Sequence, residues 1–180
     1  MAKNKGKVFE SDFKSSVPSY CLVHRLKDTA QSYNKSKETS FTWDNPGDFF
    51  LYDGESHLFY AIECKSTKYK SMSFQTNKND NSQKMIKKHQ IDSLTDFSEY
   101  NGVVAGFFLN FRDEENNCER CYFQNIKDFN VMVGKINKKS FNELDLLVDG
   151  NAIKINGRKK RIYYNWDIDS FLKSMSEKYN

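Results

Sequence analysis

The stretch that most constrains this chain is a pair of short apolar, aromatic runs around Asp53-Gly54: Phe49-Phe50-Leu51-Tyr52 and Leu58-Phe59-Tyr60-Ala61-Ile62. Runs of this length, bounded by turn residues, predict a β-hairpin. The first is entered through Asn45-Pro46-Gly47-Asp48, and the second leaves into Glu63-Cys64-Lys65. Side chains alternate across a strand, so Glu63 and Lys65 share a face and Cys64 takes the other. Asp48, at the mouth of the first strand, is then expected to meet Glu63 and Lys65 at one end of the sheet. Two carboxylates and an amine suit Mg²⁺-dependent phosphodiester chemistry, in which the metal neutralises phosphate charge and acidifies a water that the lysine orients or deprotonates. An acid followed by Glu-x-Lys also arises at ordinary solvated strand ends. A site is favoured because Glu63 emerges directly from an apolar run typical of a buried strand.

At 180 residues the chain suits one compact α/β domain spanning 1–180, with a flexible basic N-terminus at 1–6. The net charge of +4 says little, but its distribution says more. From Lys65 to Gln90 there are seven lysines against one acid, Asp80, and a second cluster is Arg158-Lys159-Lys160-Arg161. Such stripes suit a polyanion, since neutralised phosphates release counterions, although a solvated lysine-rich surface has the same composition. No run approaches transmembrane length and no apolar core follows the basic N-terminus. The expectation is therefore a cytoplasmic protein with reduced thiols and no membrane partner. Cys118-x-x-Cys121 has no second soft-ligand pair and reads as incidental. His24, His57 and His89 have no evident nucleophile to activate.

Periodicity supplies the remaining elements. Residues 7–17 predict a short helix ended by Pro18, with Glu10, Phe13 and Val17 on one face. Residues 20–26 predict a strand or extended segment, and 28–41 a polar loop. Residues 66–82 read as a flexible polar and basic connection. Residues 83–100 predict a helix with Ile86, Gln90, Leu94 and Phe97 on one stripe. Gln90 is an amide on that apolar stripe, where a buried glutamine bonds neighbouring backbone unless it serves a site. Residues 102–111 predict a central strand buried on both faces, 112–117 a turn, and 121–126 its antiparallel partner. Further on come a helix at 127–134 and capping-box chemistry in Ser140-Phe141-Asn142-Glu143. Strands at 152–156 and 161–164 flank Gly157-Arg158-Lys159-Lys160, and an amphipathic helix covers 167–179.

Asn45-Pro46-x-Asp48, then Glu63-x-Lys65, then the lysine-rich segment and His89-Gln90-Ile91, resembles in order the PD-(D/E)XK nuclease superfamily. Within it the chain is similar to RecU-type Holliday junction resolvases, particularly short forms from Gram-positive bacteria and their phages. The likeness runs from about residue 6 to residue 172. It implies a restriction-endonuclease-like α/β fold, a central mixed β-sheet flanked by helices. It also implies a Mg²⁺ site, with Mn²⁺ as an alternative, held by Asp48, Glu63 and the Cys64 carbonyl, with Glu10 completing it through water. Lys65 would position or activate the attacking water, and Gln90 would assist near the scissile phosphate. Lys35, Lys37, Lys68, Lys70, Lys87, Lys88, His89, Arg158, Lys159, Lys160 and Arg161 would meet DNA. Residues 28–42 stand where the family carries a protruding stalk, here shortened. The implied substrate is a four-way junction nicked in pairs by a homodimer, with no small-molecule cofactor. A restriction or homing endonuclease of the same fold, or a non-catalytic junction-binding module, would share much of this pattern.

Overall fold

The computed structural model describes residues 4–26, 45–80 and 82–179. The expected loop or stalk at 28–42, with Lys35 and Lys37, lies outside them. Helix α1 (Lys5–Ser16) begins where the Asn4 side chain accepts from the N–H groups of Gly6 and Lys7, at 3.0 and 3.4 Å. Asparagine capping thus draws Lys5 and Gly6, expected in a flexible tail, into the first helical turn. After Pro18 the chain enters β1 (Cys21–Arg25), which pairs antiparallel with β2 (Phe49–Asp53). In turn β2 pairs antiparallel with β3 (Phe59–Thr67), which gives the expected hairpin.

Strand β5 (Val103–Asp113) lies parallel to β3, from Phe59 opposite Val103 to Thr67 opposite Phe111. Parallel pairing requires a crossover, which α2 (Lys88–Phe97) provides. From β5 the chain returns antiparallel as β6 (Cys118–Asn125), and β6 pairs with β8 (Ile153–Ile155). The six-stranded sheet has the order β1-β2-β3-β5-β6-β8. With α1 and α5 (Ile168–Tyr179) on one face, and α2, α3 (Ile126–Ile136) and α4 (Glu143–Val148) on the other, the fold is the expected α/β class with a mixed sheet flanked by helices.

Alternation on β3 and β5 divides the core in two. Tyr60, Ile62, Cys64 and Phe108 pack against Phe9 and Phe13 of α1 and Phe171 and Leu172 of α5. Ala61, Ala105, Phe107, Leu109 and Phe111 pack against Leu94 of α2 and Phe129 of α3. Each fully buried aromatic contributes about 1.5–3 kcal/mol of transfer free energy. The predicted central strand is confirmed, since Val104 to Phe111 are all buried.

Several boundaries differ from the periodicity. The connection at 66–82 contains the end of β3 and a further strand, β4 (Ser71–Ser73), paired with β7 (Ser140–Asn142). Met72 and Phe74 there are fully buried, Phe74 against Phe129 and Phe141, so this polar stretch is pinned by two apolar side chains. The helix expected from residue 83 starts only at Lys88, because Ile86 is held in an extended bridge to Phe74. Its N–H donates to the Ser73 carbonyl, and its carbonyl accepts from Gln75 N–H, both at 3.0 Å. The capping box forms two residues later than expected, with Asn142 and Asp145 as its partners. Glu143, freed from that role, binds Arg120 and Tyr122. Gly157-Arg158-Lys159 is a strand, β9 (Gly157–Lys159), paired with β10 (Tyr164–Trp166), so the turn falls at 160–163.

Candidate active site

The hairpin positions the two carboxylates through a close backbone contact. Pairing between β2 and β3 ends at Phe49 opposite Ile62, and Asp48 N–H then reaches the Ile62 carbonyl at 2.8 Å. Gly47 makes this approach possible. A Cβ on Gly47 would lie 2.5 Å from the Ile62 carbonyl oxygen, a distance only glycine avoids. Beyond this point the edge of β3 is open to the Asp48 side chain, whose Oδ2 accepts from Cys64 N–H at 2.8 Å. The N–H and C=O of one strand residue point to the same edge, so the Cys64 carbonyl also faces Asp48.

Glu63 and Lys65 project to the opposite face from Cys64, as alternation requires. Lys65 Nζ lies 2.7 Å from Glu63 Oε1, and the Glu63 side chain is only 6% exposed. The same Oε1 accepts from Gln90 Nε2 on the first turn of α2. Gln90 Oε1 in turn accepts Lys87 N–H at 3.0 Å, which ties the helix start to the site. This is only the return half of a capping box, because the Lys87 ammonium has no lone pair to accept a backbone N–H. Gln90 therefore caps the helix through nearby backbone, the first of the alternatives left open by the sequence, and also clamps Glu63.

On the far side Glu10 projects from α1 and is 16% exposed. Arg25 at the end of β1 grips its Oε2 through Nε and Nη2, at 2.9 and 2.7 Å. Glu10 still acts on Asp48 through its charge. The Asp48 carboxyl is pushed up to about 7, by burial first and by the Glu63 charge second, with Glu10 adding to the rise. The Cys64 N–H and Lys65 oppose that rise. A buried carboxylate raised by its neighbour's charge is a place where a cation is favoured.

The donor chemistry fits a hard divalent ion. Among the described residues neither Asp48 Oδ1 nor Glu63 Oε2 takes a hydrogen bond, which leaves one oxygen of each carboxylate for a ligand. No group of three His, Cys, Asp or Glu side chains close enough to cage a metal occurs among the described residues. Two carboxylates plus a backbone carbonyl suit Mg²⁺, which retains several waters and binds through few protein ligands.

Among the described residues, the expected DNA-contacting side chains fall into three groups. Lys68 and Lys70 are exposed just past the end of β3, flanking Tyr69. Lys87, Lys88 and the exposed His89 stand at the start of α2, with Lys88 paired to Asp92. Arg158, Lys159, Lys160 and Arg161 are all exposed on the β9–β10 hairpin. Arg25, Gly47 and Arg112, whose Nε donates to Ser66 Oγ at 3.1 Å, were not singled out by the sequence. Only Gly47, next to Asp48, carried a local signal; the two arginines act across elements. The four cysteine thiols form no disulfide, and Cys118 is exposed while Cys121 is buried. Burial also pushes the Cys64 thiol well above its ordinary range, which removes it as a nucleophile.

No protein-family model matches the chain. It is 36% identical over 129 residues to the SPbeta prophage-derived uncharacterized protein YotM of Bacillus subtilis, a match that covers 71% of this chain and 59% of YotM. The chain thus spans less than two thirds of that relative's length. Among solved structures it is similar to Hjc, a Holliday junction resolvase from Archaeoglobus fulgidus. That similarity has a TM-score of 0.48 at 15% identity, covering 83% of this chain and 95% of Hjc.

Proposed function

We propose that this chain is a metal-dependent, structure-selective DNA endonuclease of the PD-(D/E)XK kind, which nicks four-way junctions in pairs as a homodimer. The observation that carries this reading is the meeting of Asp48, Glu63 and Lys65 where β2 leaves β3. Asp48, Glu63 and the Cys64 carbonyl would hold Mg²⁺, or Mn²⁺ in its place, with Glu10 acting at one remove from its Arg25 clamp. When bound, such an ion supplies charge neutralisation at the phosphate and a more acidic water. Lys65, held beside Glu63, would position or activate the attacking water. Gln90 keeps Glu63 in a single rotamer, so the carboxylate need not reorganise as charge develops.

Lys68 and Lys70, exposed a few residues past Lys65, and the exposed Arg158 and Lys160 would supply cations to a DNA backbone. A four-way junction offers two equivalent strands to cut, which a two-fold enzyme matches. The likeness to a prophage-derived protein suits a role in phage DNA processing, recombination or repair inside a cell. Among the described residues no helix is long and apolar enough to cross a membrane.

The test is cleavage of a labelled synthetic four-way junction beside linear duplex of the same sequence, with Mg²⁺ or EDTA. Metal-dependent paired nicks on the junction alone, lost in Lys65→Ala, are the expected result. Site-specific cutting of linear duplex would move the assignment to a restriction or homing enzyme. Binding without cutting under any metal would leave a junction-binding module.

A further inference from the structure

The β9–β10 hairpin has a feature that phosphate binding leaves unexplained. Its seven residues from Gly157 to Tyr163 carry four cations and no acid. Its two-residue turn, closed by Lys160 N–H to the Tyr163 carbonyl at 2.7 Å, is Arg161-Ile162. Tight turns favour Gly, Asn, Asp or Ser. Ile162 instead stands at the tip, 80% exposed, the most exposed large apolar side chain among the described residues, with Tyr163 at 45% beside it.

The ribbon is stiffly mounted. Tyr164 N–H donates to Asp12 Oδ2 at 3.0 Å and Trp166 N–H to Ser16 Oγ at 2.9 Å, so α1 holds both outward-going bonds of β10. Tyr164 stacks on Trp166 with ring centroids 5.0 Å apart. Gly157 lies flat on the Trp166 ring, where a Cβ would come within 2.4 Å of its carbons. Near the tip Lys159 bonds the Asn117 side chain in the β5–β6 turn. A groove of about 510 Å³ separates the tip from the start of α1 and that turn. It opens beyond the carboxyl end of β5, beside Asp113 and Glu114. On its opposite wall Asp113 and Glu114 are paired with Arg120 and Arg112, which mutes their repulsion of an anion.

We propose that Ile162 and Tyr163 form a wedge that enters an unstacked base step at a DNA branch, while Arg158, Lys160 and Arg161 hold the phosphates on either side. An apolar tip in a basic collar has little to gain from backbone alone, but insertion at a step buries it and fixes the bend. A branch point favours insertion because its base pairs are already partly unstacked. The choice of branched DNA rests on the proposed nuclease function; the wedge itself rests on the hairpin.

The experiment uses a four-way junction and a matching duplex, each with 2-aminopurine beside the branch position, titrated with protein in EDTA so that nothing is cut. Wild type should raise the emission at the branch and leave the duplex unchanged. The double variant Ile162→Ala, Tyr163→Ala should lose that rise and bind the junction about tenfold more weakly, with its salt dependence intact. Ile162→Phe should restore the signal. Arg158→Ala with Lys160→Ala should instead reduce the salt slope by about two released counterions. All of these positions are exposed, so the variants should fold, as circular dichroism would verify. Equal emission and affinity in wild type and the double alanine variant would overturn the wedge. So would loss of binding to anionic vesicles, with DNA binding unaffected. If wild type cuts junctions in Mg²⁺ but the wedge variant binds and unstacks like wild type, the wedge alone fails. If nothing is ever cut but the branch signal depends on Ile162, the nuclease reading alone fails.

Discussion

Loss of metal should make stability fall with rising pH, and Asp48 is the reason. Its carboxyl is pushed from 3.8 to about 7 by burial and by the charge of Glu63. Between about pH 4 and pH 7 the folded state therefore holds a proton that the unfolded state has lost, and stability decreases as pH rises through that window. At about 1.36 kcal/mol per pK unit, a rise of about 3 units sets an upper limit of about 4 kcal/mol. Relaxation and entry of water at the open edge of β3 reduce this to about 2 kcal/mol. For a domain of this size that is a fall in Tm of about 4–8 °C. A divalent cation at Asp48 and Glu63 removes the cost, so Mg²⁺ should stabilise more at about pH 8 than at about pH 5. The assay is thermal melting followed by circular dichroism across this range, with EDTA or excess Mg²⁺, for wild type and Asp48→Asn. The asparagine variant should show a flatter profile and a smaller Mg²⁺ effect. A wild-type profile in EDTA that is flat between about pH 4 and pH 7, or one that Asp48→Asn reproduces, would refute the account of the site as two mutually repelling carboxylates.

Other consequences are open to simpler measurements. Gly47→Ala forces a Cβ against the Ile62 carbonyl, so it should cost about 1–3 kcal/mol in urea melts and lower nicking more than binding. Gln90→Leu removes the clamp on Glu63 and the cap on α2; a loss of about 1–2 kcal/mol should accompany slower cleavage, and unchanged cleavage would exclude Gln90 from positioning. Phe13→Ala, in the fully buried contact with Phe49 and Phe108, should cost about 3–5 kcal/mol as measured by the denaturation midpoint. A thiol reagent should label exposed Cys118 in the native protein. Cys64 and Cys121, buried with thiols held well above their ordinary range, should react only on unfolding.

Much of the fold was legible wherever local pattern and final environment agree. Residues 102–111 are almost uniformly apolar, and such a run is stable as a strand only between two covered faces, which is where β5 lies. The Glu63-x-Lys65 spacing fixes a shared face through strand geometry alone, and the 2.7 Å contact follows. The C-terminal helix likewise follows from the spacing of Ile168, Phe171, Leu172 and Met175, all buried. Legibility failed where one side chain is claimed by a distant partner. Ile86 fits a helical stripe with Gln90 and Leu94, yet its bridge to Phe74 holds it extended and delays α2. Glu143 fits a capping box after Ser140, yet Arg120 and Tyr122 bind it instead.

Sequence by itself determined the strand and helix inventory near the site, the sidedness of its charges and the basic character of its surroundings, because these depend on composition and on periods of two or 3.6 residues. Tertiary structure alone decided that Gly47 lets Asp48 reach the edge of β3 and that Arg25 holds Glu10. It also decided that Gln90 spans from a helix start to Glu63, and that the basic hairpin presents Ile162 at its tip. Each of these contacts joins elements far apart in the chain or depends on where a strand pairing stops. No local period encodes such distances; they exist only once the sheet has set the strands side by side.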